Sequence, residues 1–78
     1  MTKQQYRDQS YLEKVGKRIV TLREGLGISQ EKLSELSGLD TRQIGRIERA
    51  ENNSSISMVK KIADALKVKV SELVDVDF

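Results

Sequence analysis

The chain contains no cysteine, no histidine, no proline and no tryptophan, and its aromatic residues are two tyrosines and one phenylalanine. Each absence excludes something. Without cysteine there are no disulfides and no thiolate metal sites, and without histidine the commonest general base and metal ligand is gone. An enzyme built from this sequence would rest on carboxylates, lysine, serine or tyrosine. The twelve carboxylates are dispersed, and their one close pair, Asp75 and Asp77, falls in the C-terminal tail. No catalysis, metal or cofactor is therefore expected. A cysteine-free chain agrees with the reducing cytoplasm, which is the expected location. No apolar run approaches the roughly 18 residues of a membrane span, and MTKQQYRDQS is too polar for a signal peptide, so no membrane association is expected.

What remains is short, helical and mildly basic. Seventy-eight residues give room for one domain with a modest core, so much of the surface is available as interface. A hydrophobic content of 37%, supplied by Leu, Ile and Val, fits a compact all-α domain rather than a disordered tail. The net charge of +2 says little about nucleic acid, but its distribution says more. Residues 1–49 carry ten Lys or Arg against seven Asp or Glu, whereas residues 50–78 carry four against five.

Residues 1–10 lack apolar periodicity and read as a flexible N-terminal arm or a leading turn, preceding a domain over 11–78. Lys3 and Arg7 could touch a polyanion from such an arm. Leu12, Val15, Ile19, Leu22 and Leu26 then form one helical stripe from Tyr11 onward, ending near Gly25 to Gly27 with a left-handed residue. Ser29 caps a second helix that presents Leu33 and Leu36 inward and stops at Gly38. Ser34 and Ser37 are small enough to let helices cross closely at the sharp turn that follows. Asp40 and Gln43 form a capping box for a third helix. Ser55 caps a fourth helix with the stripe Ile56, Val59, Ile62, Ala63 and Leu66, and a short turn near Ser71 to Val74 completes the set.

The third helix has two faces with opposite chemistry. Ile44 and Ile47 share one side, while Arg42, Arg46 and Arg49, at i, i+4 and i+7, share the other. Charged faces are usually only solvated, so this pattern alone does not define a site. Gly45 lies beside the arginines, which suits either close approach of a ligand backbone or close packing on the second helix.

The order IVTLREGLGISQEKLSELSGL, IGRIERAE and SMVKKIADALKVKVSELV, covering about Val15 to Leu73, resembles the phage-repressor and Cro-type (XRE-like) helix-turn-helix regulators. The resemblance implies a compact five-helix bundle, lambda-repressor-like, that binds double-stranded operator DNA as a homodimer with its third helix in the major groove. On the matching positions it implies base contacts from Thr41, Arg42 and Arg46. Phosphate contacts fall to Ser29, Gln30 and Arg49, with Asn52, Asn53 and Arg18 as further candidates. It also implies a structural ion pair between Arg23 and Glu48. The surplus of apolar residues at Val68, Val70, Val74, Val76 and Phe78 points to a two-fold interface carried by Val74, Val76 and Phe78. The sequence departs from the family at Ala50, where glycine is common, so the third helix is expected to run on to Asn52 or Asn53. Lys67 likewise replaces a common helix-ending glycine. The competing reading is a protein-interaction module or antitoxin-like partner-binding protein with secondary DNA binding, and a separate regulatory protein suits either.

Overall fold

A computed structural model describes residues 7–76 and consists there of five helices and no strands. Helix α1 spans Gln9–Gly25, α2 Gln30–Ser37, α3 Thr41–Glu48, α4 Ile56–Leu66 and α5 Val70–Val74. Helix α1 packs on α3 and α5, α2 packs on α3 and α4, and α4 packs on α5. Ile19, Leu33, Ile44, Ile62 and Leu73 are fully buried, one from each helix, so the five elements share a single apolar centre. Burying each such side chain contributes about 1.5–3 kcal/mol. Removing Ile44 would therefore loosen all five helices, not only its own.

Local sequence sets the start of each element. Ser29 accepts from the Lys32 amide at 3.0 Å and Ser55 from the Met58 amide at 3.2 Å. Asp40 accepts from the Arg42 amide at 3.2 Å, and Gln43 Oε1 accepts from the Asp40 amide at 3.0 Å, closing the capping box. Helix α1 starts at Gln9, ahead of Tyr11, because Asp8 accepts from the Tyr11 amide at 3.0 Å and caps a further half-turn. The proposed arm thus shortens from its C-terminal side, and its residues 1–6, Lys3 among them, lie outside the described residues.

Helix ends differ from expectation in one informative place. Helix α3 stops at Glu48 rather than running to Asn52 or Asn53, because Ala50 itself takes the left-handed conformation at φ 60°. Its amide donates to the Ile47 carbonyl at 3.0 Å and the Glu51 amide to the Arg46 carbonyl at 2.7 Å, the paired bonds of a Schellman cap. Lys67 ends α4 the same way at φ 61°, with Val68 bonded back to the Ala63 carbonyl. A left-handed alanine is strained by about 1–2 kcal/mol. It is held there from outside: Arg7 Nη2 and Gln9 Nε2 both donate to the Ala50 carbonyl, at 2.7 and 3.0 Å. Arg7, a candidate arm contact, is thus committed to the end of α3.

Three residues assigned to apolar stripes are exposed instead: Leu26 at 54%, Leu36 at 50% and Ile56 at 75%. Leu26 follows the last helical residue and leaves the stripe's rotation. On α2 the buried pair is Leu33 and Ser37, one turn apart, which turns Leu36 aside. Ile56 sits in the first turn of α4, ahead of the contacts made by Val59 and Ile62.

Candidate nucleic-acid interface

The turn between α2 and α3 is wired by side chains. Gly38, at φ 78°, reverses the chain after α2. The Ser34 hydroxyl donates to the Leu39 carbonyl, and the Ser37 hydroxyl accepts from the Leu39 amide at 3.1 Å. These serines therefore fix the turn by hydrogen bonding, and smallness alone does not describe their role. Leu39, 8% exposed, plugs the corner and sets the angle at which α3 leaves.

Behind α3, one network locks its C-terminal end. Glu48 accepts from Arg23 Nε at 2.7 Å, from Arg23 Nη2 at 3.3 Å and from Gln30 Nε2 at 2.7 Å. Arg23 also donates through Nη1 to the Ile28 carbonyl at 2.9 Å. The Arg23 and Glu48 side chains are 13% and 4% exposed, so the pair is shielded from water and its hydrogen-bonding capacity is well used. Through Glu48 the network joins α1, the first turn of α2 and the last turn of α3. Gln30, assigned to phosphate from the sequence, has its amide turned inward by this bond. In the first turn of α2 the Lys32 amide is taken by Ser29, while the Gln30 and Glu31 amides precede the first intrahelical acceptor and point outward along the helix axis, which suits an anion.

Gly16 is a residue whose importance the pattern of motifs did not reveal. A Cβ built on it would lie 2.5 Å from the Glu48 carbonyl oxygen and 2.8 Å from that of Ile47. Only glycine lets α1 approach the backbone of α3 this closely. Its one sequence signal was a glycine inside a helix, where glycine costs about 1 kcal/mol without such a reason.

The outer face of α3 stands in contrast. Arg42 and Arg46 are exposed, and among the described residues neither guanidinium makes a hydrogen bond or salt bridge. They are one turn apart, about 6 Å along the axis, and an α-helix about 10–12 Å across with its side chains fits the roughly 12 Å width of the major groove. Thr41 is half-buried at the N-terminal end of the same face. Arg49, the C-terminal cap of α3, pairs with Glu51, Nε to Oε2 at 2.9 Å and Nη2 to Oε1 at 3.3 Å. That hydrogen bond raises the Arg49 pKa and holds the Glu51 carboxyl below its ordinary range. Gly45 is covered by this guanidinium, not by α2: the atom nearest an added Cβ is Arg49 Nη1, at 2.9 Å.

Three candidate phosphate contacts lie elsewhere. Arg18 is on the opposite side of α1 from Gly16 and donates to the Glu72 carbonyl at 2.9 Å, tying α1 to α5. Asn52 and Asn53 line a groove of about 430 Å³ bounded by α1, the 52–54 loop, α4 and α5. Its apolar walls include Tyr11, Leu12, Val15, Val70 and Val74, with exposed Ile56 among the lining residues. The Tyr11 hydroxyl donates to the Val74 carbonyl across it. Val76 is half-buried against the core, and Phe78 lies outside the described residues.

A short helix locked from behind, preceded by a capped helix and a wired turn, with unpaired guanidinia in front, defines a helix-turn-helix unit. The helix-turn-helix family model matches residues 19–73, and the chain belongs to that family of transcription regulators. It is 44% identical over 46 residues to the control protein C.SmaI of Serratia marcescens, covering 59% of this chain and 55% of that protein. An uncharacterized HTH-type transcriptional regulator, R00410 of Rhizobium meliloti, is 42% identical over 57 residues, covering 73% of this chain and 41% of that protein. The chain thus spans about half or less of the length of these curated relatives. Among solved structures, the restriction-modification controller protein C.AhdI from Aeromonas hydrophila superposes with a TM-score of 0.80 at 42% identity, covering 82% of this chain and 97% of that one. The restriction-modification controller protein C.Esp1396I gives 0.76 at 34% identity, covering 80% of each. Among the described residues no helix is long and apolar enough to cross a membrane.

Proposed function

We propose that the chain is a sequence-specific DNA-binding transcription regulator that places α3 in the major groove of an operator. The observation that carries this reading is the pair of guanidinia, Arg42 and Arg46, that have no partner among the described residues, on the outer face of a helix whose inner face is locked. Each can grip a guanine through O6 and N7, a contact worth about 1–3 kcal/mol of discrimination. Thr41 reaches a base edge or a phosphate at the entry of the helix. The amides and hydroxyl at Ser29 and Gln30 grip a phosphate through the α2 N-terminus, and Arg49 grips another. Arg18 donates to the Glu72 carbonyl and Asn52 and Asn53 line the apolar groove, so they stand second to Ser29, Gln30 and Arg49 as phosphate contacts. No step requires catalysis or a cofactor.

Operator binding proceeds as a homodimer, which sets two recognition helices about 34 Å apart on a near-palindrome. The groove lined by Val70 and Val74, with exposed Ile56 beside it, offers a knob and a hole on one patch, as a two-fold interface requires. Val76, half-buried against the core, extends that surface. The likeness to restriction-modification controllers supports the same role here, control of transcription in a genetic system of that kind.

Selection of bound sites from random duplex, followed by footprinting, tests the reading. An enriched near-palindrome is the expected result, and its recognition should be lost in the Arg42→Ala, Arg46→Ala double variant. No enriched site, or unchanged affinity in that variant, would overturn it.

A further inference from the structure

The Schellman cap at Ala50 turns the chain back along the last turn of α3, and the Glu51 amide is held on the Arg46 carbonyl at 2.7 Å. This brings the Glu51 carboxylate to the edge of the outer face. There it takes the Nε and Nη2 edge of Arg49, at 2.9 and 3.3 Å. That edge is the fork with which an arginine grips two oxygens of a phosphate. The same guanidinium lies over Gly45, whose missing Cβ leaves the space it occupies. On a helical projection at 3.6 residues per turn Gly45 falls about 40° beyond Arg49, at the edge of the face that carries Arg42, Arg46 and Arg49.

We propose that Glu51 is an intramolecular stand-in for DNA phosphate, holding Arg49 across the notch at Gly45 and limiting what Arg49 adds to DNA affinity. The proposal rests on the DNA-binding reading. A phosphate arriving at Arg49 must displace a carboxylate that already satisfies the same two donors. The displaced carboxylate then stays beside the duplex, close enough to Arg46 to feel its charge. Arg42 and Arg46 carry no such latch, so the device acts on one cation of three. It weakens binding to every sequence about equally and leaves base readout untouched, because phosphate contacts carry no sequence information.

The test uses the full chain as wild type, Glu51→Gln, Arg49→Ala and the double variant, titrated with a random-sequence duplex across a salt series. Glu51→Gln should bind roughly two- to fivefold more tightly, the range of an exposed ion pair, and steepen the logarithmic salt slope by about 0.9. That gain should vanish in the Arg49→Ala background. In the free protein, the Arg49 Nε proton should exchange more slowly in the wild type than in Glu51→Gln. A gain that persists without Arg49 would show that Glu51 merely repels DNA, and would overturn the latch. So would equal affinity of wild type and Glu51→Gln, or equal exchange of the Nε proton in both. Failure of the wild type to bind any duplex would instead remove the DNA-binding reading, and the latch with it.

Discussion

The two faces of α3 carry the same residue types and put them to opposite use. Behind the helix, Arg23 and Glu48 meet at 2.7 Å with side chains 13% and 4% exposed, and Gln30 joins them. In front, Arg49 and Glu51 meet at 2.9 Å with side chains 57% and 53% exposed. A glycine accompanies each pair: Gly16 against the backbone of α3 behind, Gly45 under a flexible guanidinium in front. Shielding decides the difference. The inner pair cannot fall back on water if one partner is lost, whereas the outer pair exchanges its partners for water at little cost. The inner face therefore fixes where α3 lies, and the outer face stays free to trade one anion for another.

The sharpest way to break the comparison is Glu48→Ala. It strands the Arg23 guanidinium and leaves the Gln30 amide without its acceptor, so a loss of about 3–5 kcal/mol in unfolding free energy is expected. Urea denaturation followed by circular dichroism reads this directly. A loss under about 1 kcal/mol would place the inner pair in the same class as the outer one. Gly16→Ala comes next. Its new methyl group would press on carbonyl oxygens at 2.5 and 2.8 Å, which belong to backbone and cannot swing away. Overpacking of this kind costs about 1–3 kcal/mol, against which the gain in helix propensity is smaller. A neutral or raised midpoint would show that α1 and α3 can separate without cost.

How much of this was readable beforehand follows the range of the interactions. The caps at Ser29, Asp40 and Ser55 were legible because a cap is decided within four residues. The meeting of Arg23 with Glu48 was foreseen through resemblance, since nothing local joins residues 25 positions apart. Gly16, by contrast, looks like an ordinary helical weakness until α3 is laid against it. Leu26, Leu36 and Ile56 fit their stripes by spacing, but Leu26 lies past the end of α1, Leu36 is turned aside by the buried Leu33 and Ser37, and Ile56 sits in the first turn of α4 ahead of its packed residues. Arg18 and Arg49 illustrate the same limit at the interface. Both read as free cations, yet one is spent on the Glu72 carbonyl and the other on Glu51.

Ala50 offers an intermediate effect at the point where the two faces meet. Its left-handed backbone is held by Arg7 and Gln9, and Ala50→Gly relieves the strain while keeping both bonds. A rise of about 1 kcal/mol in stability is expected from removing the Cβ penalty, measured as a higher urea midpoint. If stability falls instead, the methyl group, 2% exposed, contributes more packing than it costs in strain.

The smallest expected effect separates the two glycines most cleanly. A methyl group at Gly45 meets Arg49 Nη1 at 2.9 Å, the far end of a side chain that can move into water. Gly45→Ala should therefore gain up to about 1 kcal/mol of stability from helix propensity, the opposite sign from Gly16→Ala one helix away. It should also push the guanidinium off the face and weaken its hold on Glu51. Thermal unfolding of both variants beside the wild type checks the sign, and the Arg49 Nε proton reports whether the side chain moved. Equal losses at the two positions would mean that Gly45 is packed as tightly as Gly16, and that the outer face is as rigid as the inner one.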